Sequence, residues 1–426
     1  MMRIRSYLVC FSAVCCFWVS AVQSAELPQY APQDHLGVAT CASGVCHGSV
    51  RARDATAVAQ NEYVIWTRRD RHRAAYNTLL TKESKQIAQN LGLKNAHEAD
   101  MCLDCHADNV SVEHRGERFQ IDDGIGCEAC HGGGETYIST HVDDAATHAS
   151  NLEDGMYPTD DPRSRAKLCL SCHLGTADKM ASHDIMGAGH PRISFELDTF
   201  GWLQPAHYVV DDDYRAEKWA GSSVELWTIG QVEAARQTLG LIKERLNTGG
   251  LFPELALFDC HACHTSMSDQ GWASGASSLP PGSVRLNDAN FVMLFAIANV
   301  LDRGIEKSLK QGISRMHKGV NKGQNVDAAM SQIMAQLNQI DSKIDGSTVL
   351  NRSDELIKAI LKTTTRSKMV DYVSAEQAVM AVDMLLSASG KRSGHSSWLD
   401  KAYESVADED NFNSRRFSQV MGSYKG

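Results

Sequence analysis

Residues 102–131 read CLDCHADNVSVEHRGERFQIDDGIGCEACH, and twice in this stretch a pair of cysteines two residues apart is closed by a histidine: Cys102–Cys105–His106 and Cys127–Cys130–His131. The unit recurs as Cys169–Cys172–His173 (CLSCH) and Cys260–Cys263–His264 (CHACH). A longer version, Cys41–Cys46–His47 (CASGVCH), precedes them all. Disulfides and zinc sites also use paired cysteines, but neither requires a histidine directly after the second one. Histidine is only 17 of 426 residues, so four such coincidences would be on the order of one in 10⁵ to 10⁶. C-x-x-C-H is the attachment signal of c-type haem: two thioether bonds fix the macrocycle, and the adjacent imidazole becomes the proximal iron ligand.

Working outward, Arg3 and Arg5 followed by the apolar run Tyr7–Val22 and small Ser24 and Ala25 read as an export signal over residues 1–25. That run is short beside the roughly 20 apolar residues of a spanning helix, and no other segment is apolar enough to span a bilayer. A periplasmic chain without a membrane span after cleavage is expected. Cys10, Cys15 and Cys16 leave with the signal, so Cys41 and Cys46 have no other cysteine to pair with and are read as one more attachment unit, the first of five in chain order. The expectation is five covalently bound c-type haems, with His47, His106, His131, His173 and His264 as proximal ligands to haem iron. Lys and Arg total 42 against 52 acidic residues, a formal charge of −10. That balance repels nucleic acid and steers in redox partner proteins with basic docking surfaces.

Residues 26–279 form the expected pentahaem domain, and residues 280–426, which lack cysteine, the expected C-terminal helical domain. Tyr63, Trp66, His72, Tyr76, Leu79 and Leu80 recur near helical spacing over 62–92. Ser222 and Glu225 form a capping box ahead of an apolar stripe that runs to Gly249. Asp288–Leu309, Asn325–Ile344, Ser353–Lys362 and Ser374–Ser389 are the helices expected in the tail, the last capped by Ser374 and stopped by Gly390. The fold class is therefore mainly α: a multihaem c-type cytochrome fold with little sheet, plus a C-terminal helical bundle.

A second axial ligand closes an iron as an electron carrier, whereas an open position admits substrate. His141, which the glycines of CEACHGGGETYISTH let approach a haem face, is one distal candidate. The others are His72 in DRHRAAY, His190 in the tight turn GAGHPR, and His261 inside the fifth unit. His148, His183, His207 and His317 are weaker candidates, while His35, His97, His114 and His395 read as ordinary. Met186 reads as core rather than ligand, and Asp211–Asp213 as a solvated turn rather than a calcium site.

The wording CASGVCH, then Trp66 with RHRAAY, CLDCH, GIGCEACHGGG ending in His141, and CLSCH resembles the cytochrome c-554 (c554 and c-prime) family over residues 41–173. That family is related to hydroxylamine oxidoreductase and the multihaem nitrite reductases. The resemblance implies His141 as distal ligand of the first haem and His72 of the third, with the second haem, at His106, open. The longer first unit, the fifth haem at His264 and the tail depart from the small four-haem members. No C-x-x-C-K unit, the usual mark of the catalytic haem in pentahaem nitrite reductases, is present.

Two functions follow. One is a periplasmic carrier relaying electrons between redox partners from haem to haem. The other is a reductase or oxidase of a small nitrogen or sulfur compound at one open haem, the second, with His97, His114 and Arg115 as proton donors or anion binders. The absence of a recognisable catalytic motif favours the carrier. The tail reads equally well as a docking or dimerisation surface and as scaffold.

Overall fold

The computed structural model describes residues 25–53, 58–246, 254–260, 264, 285–345, 349–366 and 371–426. All but Ala25 of the expected export signal lies outside them, as do His261 and Cys263. Among the described residues the chain is mainly helical, and pairing of extended backbone is limited to isolated bridges, His35 with Arg115 and Phe258 with Leu286. No helix of the described residues is long and apolar enough to cross a membrane.

The N-terminal half is a string of short helices joined by turns. The span 62–92, expected as helical, breaks at Asp70 into Glu62–Arg69, a 3₁₀ turn Arg71–Ala74, Ala75–Thr78 and Lys82–Asn90. The break is built: Asp70 leaves helical geometry and accepts the backbone N–H of His72 at 3.0 Å. Attachment units sit at helix C-termini, in Asp100–His106, Glu128–His131 and Pro162–His173 (α1). The first unit leaves the helix Val38–Cys41 for a run of turns, which its two extra residues require.

The C-terminal half is a packed bundle. Helix α2, Ser223–Arg245, is capped by the Ser222 hydroxyl, which accepts the Glu225 N–H at 3.2 Å. It is followed by α3 (Ala289–Leu301), α4 (Arg303–Asn321), α5 (Asp327–Asp341), α6 (Ser353–Arg366), α7 (Tyr372–Ala388), α8 (Ser396–Glu404) and α9 (Ser414–Gly422). The single helix expected over Asp288–Leu309 is two, because Asp302 turns extended and caps α4 through the Gly304 N–H. Asp371, not Ser374, caps α7, accepting the Ser374 N–H at 2.7 Å. Gly390, with φ of 69°, ends that helix; the positive φ suits a residue without Cβ. Helices α8 and α9 were not expected from the sequence.

One core joins α2 to every tail helix, with Trp227, Phe291, Leu294, Ile297, Leu309, Leu385 and Phe417 fully buried. Burying such side chains contributes about 1.5–3 kcal/mol each. Helix α2 lies before the expected boundary at residue 280, yet it packs with the tail on one side and against α1, which carries the fourth attachment unit, on the other. The bundle is thereby joined directly to the cysteine-rich half.

Candidate functional site

Each histidine that closes an attachment unit faces a second imidazole. Ring centroids are 6.3 Å apart for His47 and His141, 6.3 Å for His106 and His190, and 6.1 Å for His131 and His207. They are 6.2 Å apart for His173 and His72, and 6.3 Å for His264 and His183. Metal–nitrogen bonds of about 2.0–2.1 Å, extended by about 1.1 Å to each ring centre, place two trans imidazoles about 6.3 Å apart. Other packed rings lie at similar spacing, Tyr76 and His97 at 6.3 Å among them; what sets these five pairs apart is that every histidine closing an attachment unit has an imidazole partner at this distance. The residues present therefore fit a haem iron, which the two imidazoles of each pair would hold between them.

Hydrogen bonding points the same way. Nδ1 of His47 donates to Glu62 Oε2 at 2.9 Å, and Nδ1 of His72 to Asp70 Oδ1 at 2.9 Å. Nδ1 of His106 donates to the Ala75 carbonyl at 3.0 Å, that of His141 to the Tyr137 carbonyl at 2.8 Å, and that of His190 to the Pro191 carbonyl at 2.7 Å. Each bond fixes the tautomer and leaves Nε2 as the nitrogen on offer. Burial holds His131 at about 4, the neighbouring His207 ring adding to the effect, and holds His173 at about 4 with His72 adding to it. Burial also lowers His106 and His207. A neutral imidazole is the form that binds metal. Hydrogen bonding to Glu62 raises His47, and hydrogen bonding to Asp70 raises His72. Burial works against the ionised Asp70, but the His72 ring and backbone N–H outweigh it and hold that carboxyl down at about 2.

The sulfurs group the units. Cys41 lies beside Cys127, bringing the first and third units together, and Cys105 beside Cys172, bringing the second and fourth together. Cys130 lies within electrostatic reach of Cys169 and Cys172, so the third and fourth units are neighbours too. His183 and His190 share one short segment, beginning with the helix His183–Gly187, which sets the fifth pair beside the second. Carboxylates secure the turns between units: Glu128, buried within the third unit, accepts the backbone N–H groups of Leu36, Gly37 and Gly134 at 2.7, 2.7 and 2.8 Å.

Measured against the sequence reading, His141 stands opposite the first unit's histidine, as the resemblance implied. His72 does not face His131 of the third unit; it faces His173 of the fourth, and His207 takes the third position. The second unit, implied to be open, has His190 across from His106. His261 lies outside the described residues, and His183 faces the fifth unit's histidine. Met186 sits half-buried on the His183 helix. His148 spends its Nε2 on Asp160 at 3.0 Å, and His317 is buried in the tail beside Asp288. His35 is buried against Asp108, His97 packs on Tyr76, His114 pairs with Asp34, and His395 stacks on Tyr424. Arg115 holds the 109–119 loop through the Val110 carbonyl, Asn109 and the Phe119 ring. Asp211 caps the helix Asp212–Glu217 through the Tyr214 N–H, and among the described residues no group of three or more His, Cys, Asp or Glu is placed to hold a metal ion by itself.

Sequence reading passed over Glu62 and Asp70. The signal for Asp70 was present in Asp70–Arg71–His72, where a carboxylate two residues before a histidine can bond its ring; nothing local marks Glu62, fifteen positions after His47.

Residues 40–132 match the family model described as cytochrome c554 and c-prime. No curated protein and no solved structure matches the chain.

Proposed function

We propose, from the match of residues 40–132 to the family model described as cytochrome c554 and c-prime, that this chain is a c-type cytochrome and a pentahaem electron relay of the periplasm in which every iron is closed by two histidines. The single observation that carries this reading is the shared 6.1–6.3 Å spacing of five imidazole pairs, each containing the histidine of one attachment unit. The ten cysteines from Cys41 to Cys263 would make the thioether bonds. His47, His106, His131, His173 and His264 would be the proximal ligands, and His141, His190, His207, His72 and His183 the distal ones.

When bound, haem supplies one-electron acceptance and donation at iron. The chain's own part is to hold ring planes, keep water from the irons and set the order of the sites. The sulfur contacts and the shared 183–190 segment support the order first, third, fourth, second, fifth. A substrate-reducing role needs an open iron, and the partner ring at His106 argues against one at the second unit.

Partner docking has a candidate face. Val142, Tyr208, Val209 and Val210 are exposed beside His141 and His207, and Asp143, Asp144, Asp212 and Asp213 are exposed around them. The His148 N–H bonds Glu217 at 3.4 Å, which joins the two segments. An apolar patch with an acidic rim suits a redox protein whose own patch has a basic rim.

The test is carbon monoxide titration of the dithionite-reduced protein, normalised to haem content. No shift of the Soret band is expected. Binding at about one site per chain would refute the closed relay and restore the open-haem reading.

A further inference from the structure

The five pairs differ in what lies behind the rings. His47 and His72 donate Nδ1–H to carboxylates, whereas His106, His141 and His190 meet only neutral groups, the carbonyls of Ala75, Tyr137 and Pro191 and, for His106, also the Thr78 hydroxyl at 2.9 Å. Glu62 is four-fifths buried: its Oε2 takes the His47 ring at 2.9 Å and its Oε1 the Gln60 N–H at 3.1 Å. Asp70 is more enclosed, with its side chain 6% exposed. It accepts from the His72 ring at 2.9 Å, the His72 N–H at 3.0 Å and Gln204 Nε2 at 3.2 Å. With only donors around it, the carboxyl is anionic.

We infer that Glu62 and Asp70 are positioning residues that lower the reduction potentials of two particular irons, those of the first and fourth attachment units. The inference rests on the ligation proposed above. An anionic acceptor at Nδ1 draws that proton outward and makes Nε2 a stronger donor, which favours ferric over ferrous iron. A carbonyl does the same more weakly, because a charge-assisted hydrogen bond is roughly twice as strong as a neutral one. Both carboxylates are largely shielded, so water screens the effect little. By this logic the first and fourth units hold more reducing irons than the second, whose His106 and His190 both donate to carbonyls. Two amino acids outside every attachment unit would then set where an electron rests in the relay.

The experiment is a spectroelectrochemical titration of the haem-loaded protein and of Glu62→Gln and Asp70→Asn, which keep shape and remove charge. Each variant is expected to move one component, a fifth of the total Soret amplitude, furthest to higher potential, with a smaller upward move at the third unit, whose His131 and His207 also feel these charges. The double variant should move two-fifths by the larger amount. Glu62→Asp and Asp70→Glu, which keep the charge, should keep each component nearer its original potential than the amides do. If neither amide moves any component upward while the spectra stay low-spin, the inference is overturned and the ligation stands. If an amide variant itself binds carbon monoxide, the carboxylate serves only to hold the ring, and the inference also fails. Carbon monoxide binding by the unsubstituted protein would instead overturn the ligation beneath it.

Discussion

Arg192 joins the two halves of the molecule two residues after His190, and its removal makes a demanding test. Its Nη2 lies 2.6 Å from Glu376 Oε2 on α7, its Nε 2.9 Å from Glu409 Oε2, and its guanidinium 5.2 Å over the Tyr372 ring. The arginine side chain is 18% exposed, and its partners are 19% and 32% exposed. A hydrogen bond to a charged group contributes about 1.5–3 kcal/mol, so two set a ceiling near 3–6 kcal/mol. Glu409 is open enough to be rehydrated, which brings the expected cost of Arg192→Ala to about 2–4 kcal/mol, between a surface pair and a fully buried one. Lysine cannot reach two carboxylates with one fork, so Arg192→Lys should recover about half of it. Urea unfolding of the haem-loaded protein, followed by far-ultraviolet circular dichroism, gives the numbers. Cys260 also feels Glu409 and Arg192, so the Soret transition should shift to lower urea together with the helical one. If Arg192→Ala unfolds within about 0.5 kcal/mol of the unsubstituted protein, the range of an ordinary surface change, the clamp is incidental and the two halves are joined elsewhere.

His207→Ala and His183→Ala should each convert a closed site to an open one, so that carbon monoxide binding rises from none to about one in five haems; no increase would remove that histidine from the ligand set. Electron paramagnetic resonance of the oxidised protein should separate the near-parallel His47/His141 pair, at 9°, from the crossed pairs at 82–88°, because crossed rings leave the iron dπ orbitals nearly degenerate and give broad, strongly anisotropic signals; five resolved rhombic signals would contradict the ring planes. Burial and the neighbouring Glu196 push Asp198 up to about 7, so the folded state takes up a proton that the unfolded chain lacks. Stability contributed by that group is therefore lost as pH rises from about 4 through about 7, and Asp198→Asn should be more stable than the unsubstituted protein at pH 8 but not at pH 4, by matched urea midpoints. Neutralising Asp143, Asp144, Asp212 and Asp213 to asparagine should slow reduction of a basic cytochrome at low salt and flatten the salt dependence of the rate, measured by stopped flow; an unchanged salt slope would move the docking face elsewhere.

What the sequence made legible is what local chemistry dictates. The attachment units announce themselves because cysteine spacing and the adjacent histidine must match one macrocycle, whatever surrounds it. The apolar stripe of α2 and its Ser222 cap were equally plain, since side-chain period and capping are properties of a few consecutive residues. The break at Asp302 was not, because the apolar pattern continues through it and only the aspartate's turn to cap Gly304 marks it. The affiliation of α2 was also hidden. Its stripe says that a face is buried but not against what, and the boundary drawn at residue 280 followed the loss of cysteines rather than the core.

The distal histidines were hard for a different reason. A proximal ligand is fixed by the residues beside it, whereas a distal one is defined only by a ring across the iron. His141 reached the first unit from 94 positions away in the chain, and His72 reached the fourth from 101. No local property distinguishes His207 after Pro205 from His148 after Thr147; what separates them is that one ring is aimed inward and the other gives its Nε2 to Asp160. Local chemistry was nonetheless informative in one respect. Asp70–Arg71–His72 carries its own Nδ1 acceptor, so the ring's tautomer is set by a residue two positions away in the chain. A histidine with a carboxylate on Nδ1 presents only Nε2 outward, but His35 and His114, whose Nδ1 atoms meet Asp108 and Asp34, show that such a bond alone does not make a ligand; the ring opposite does.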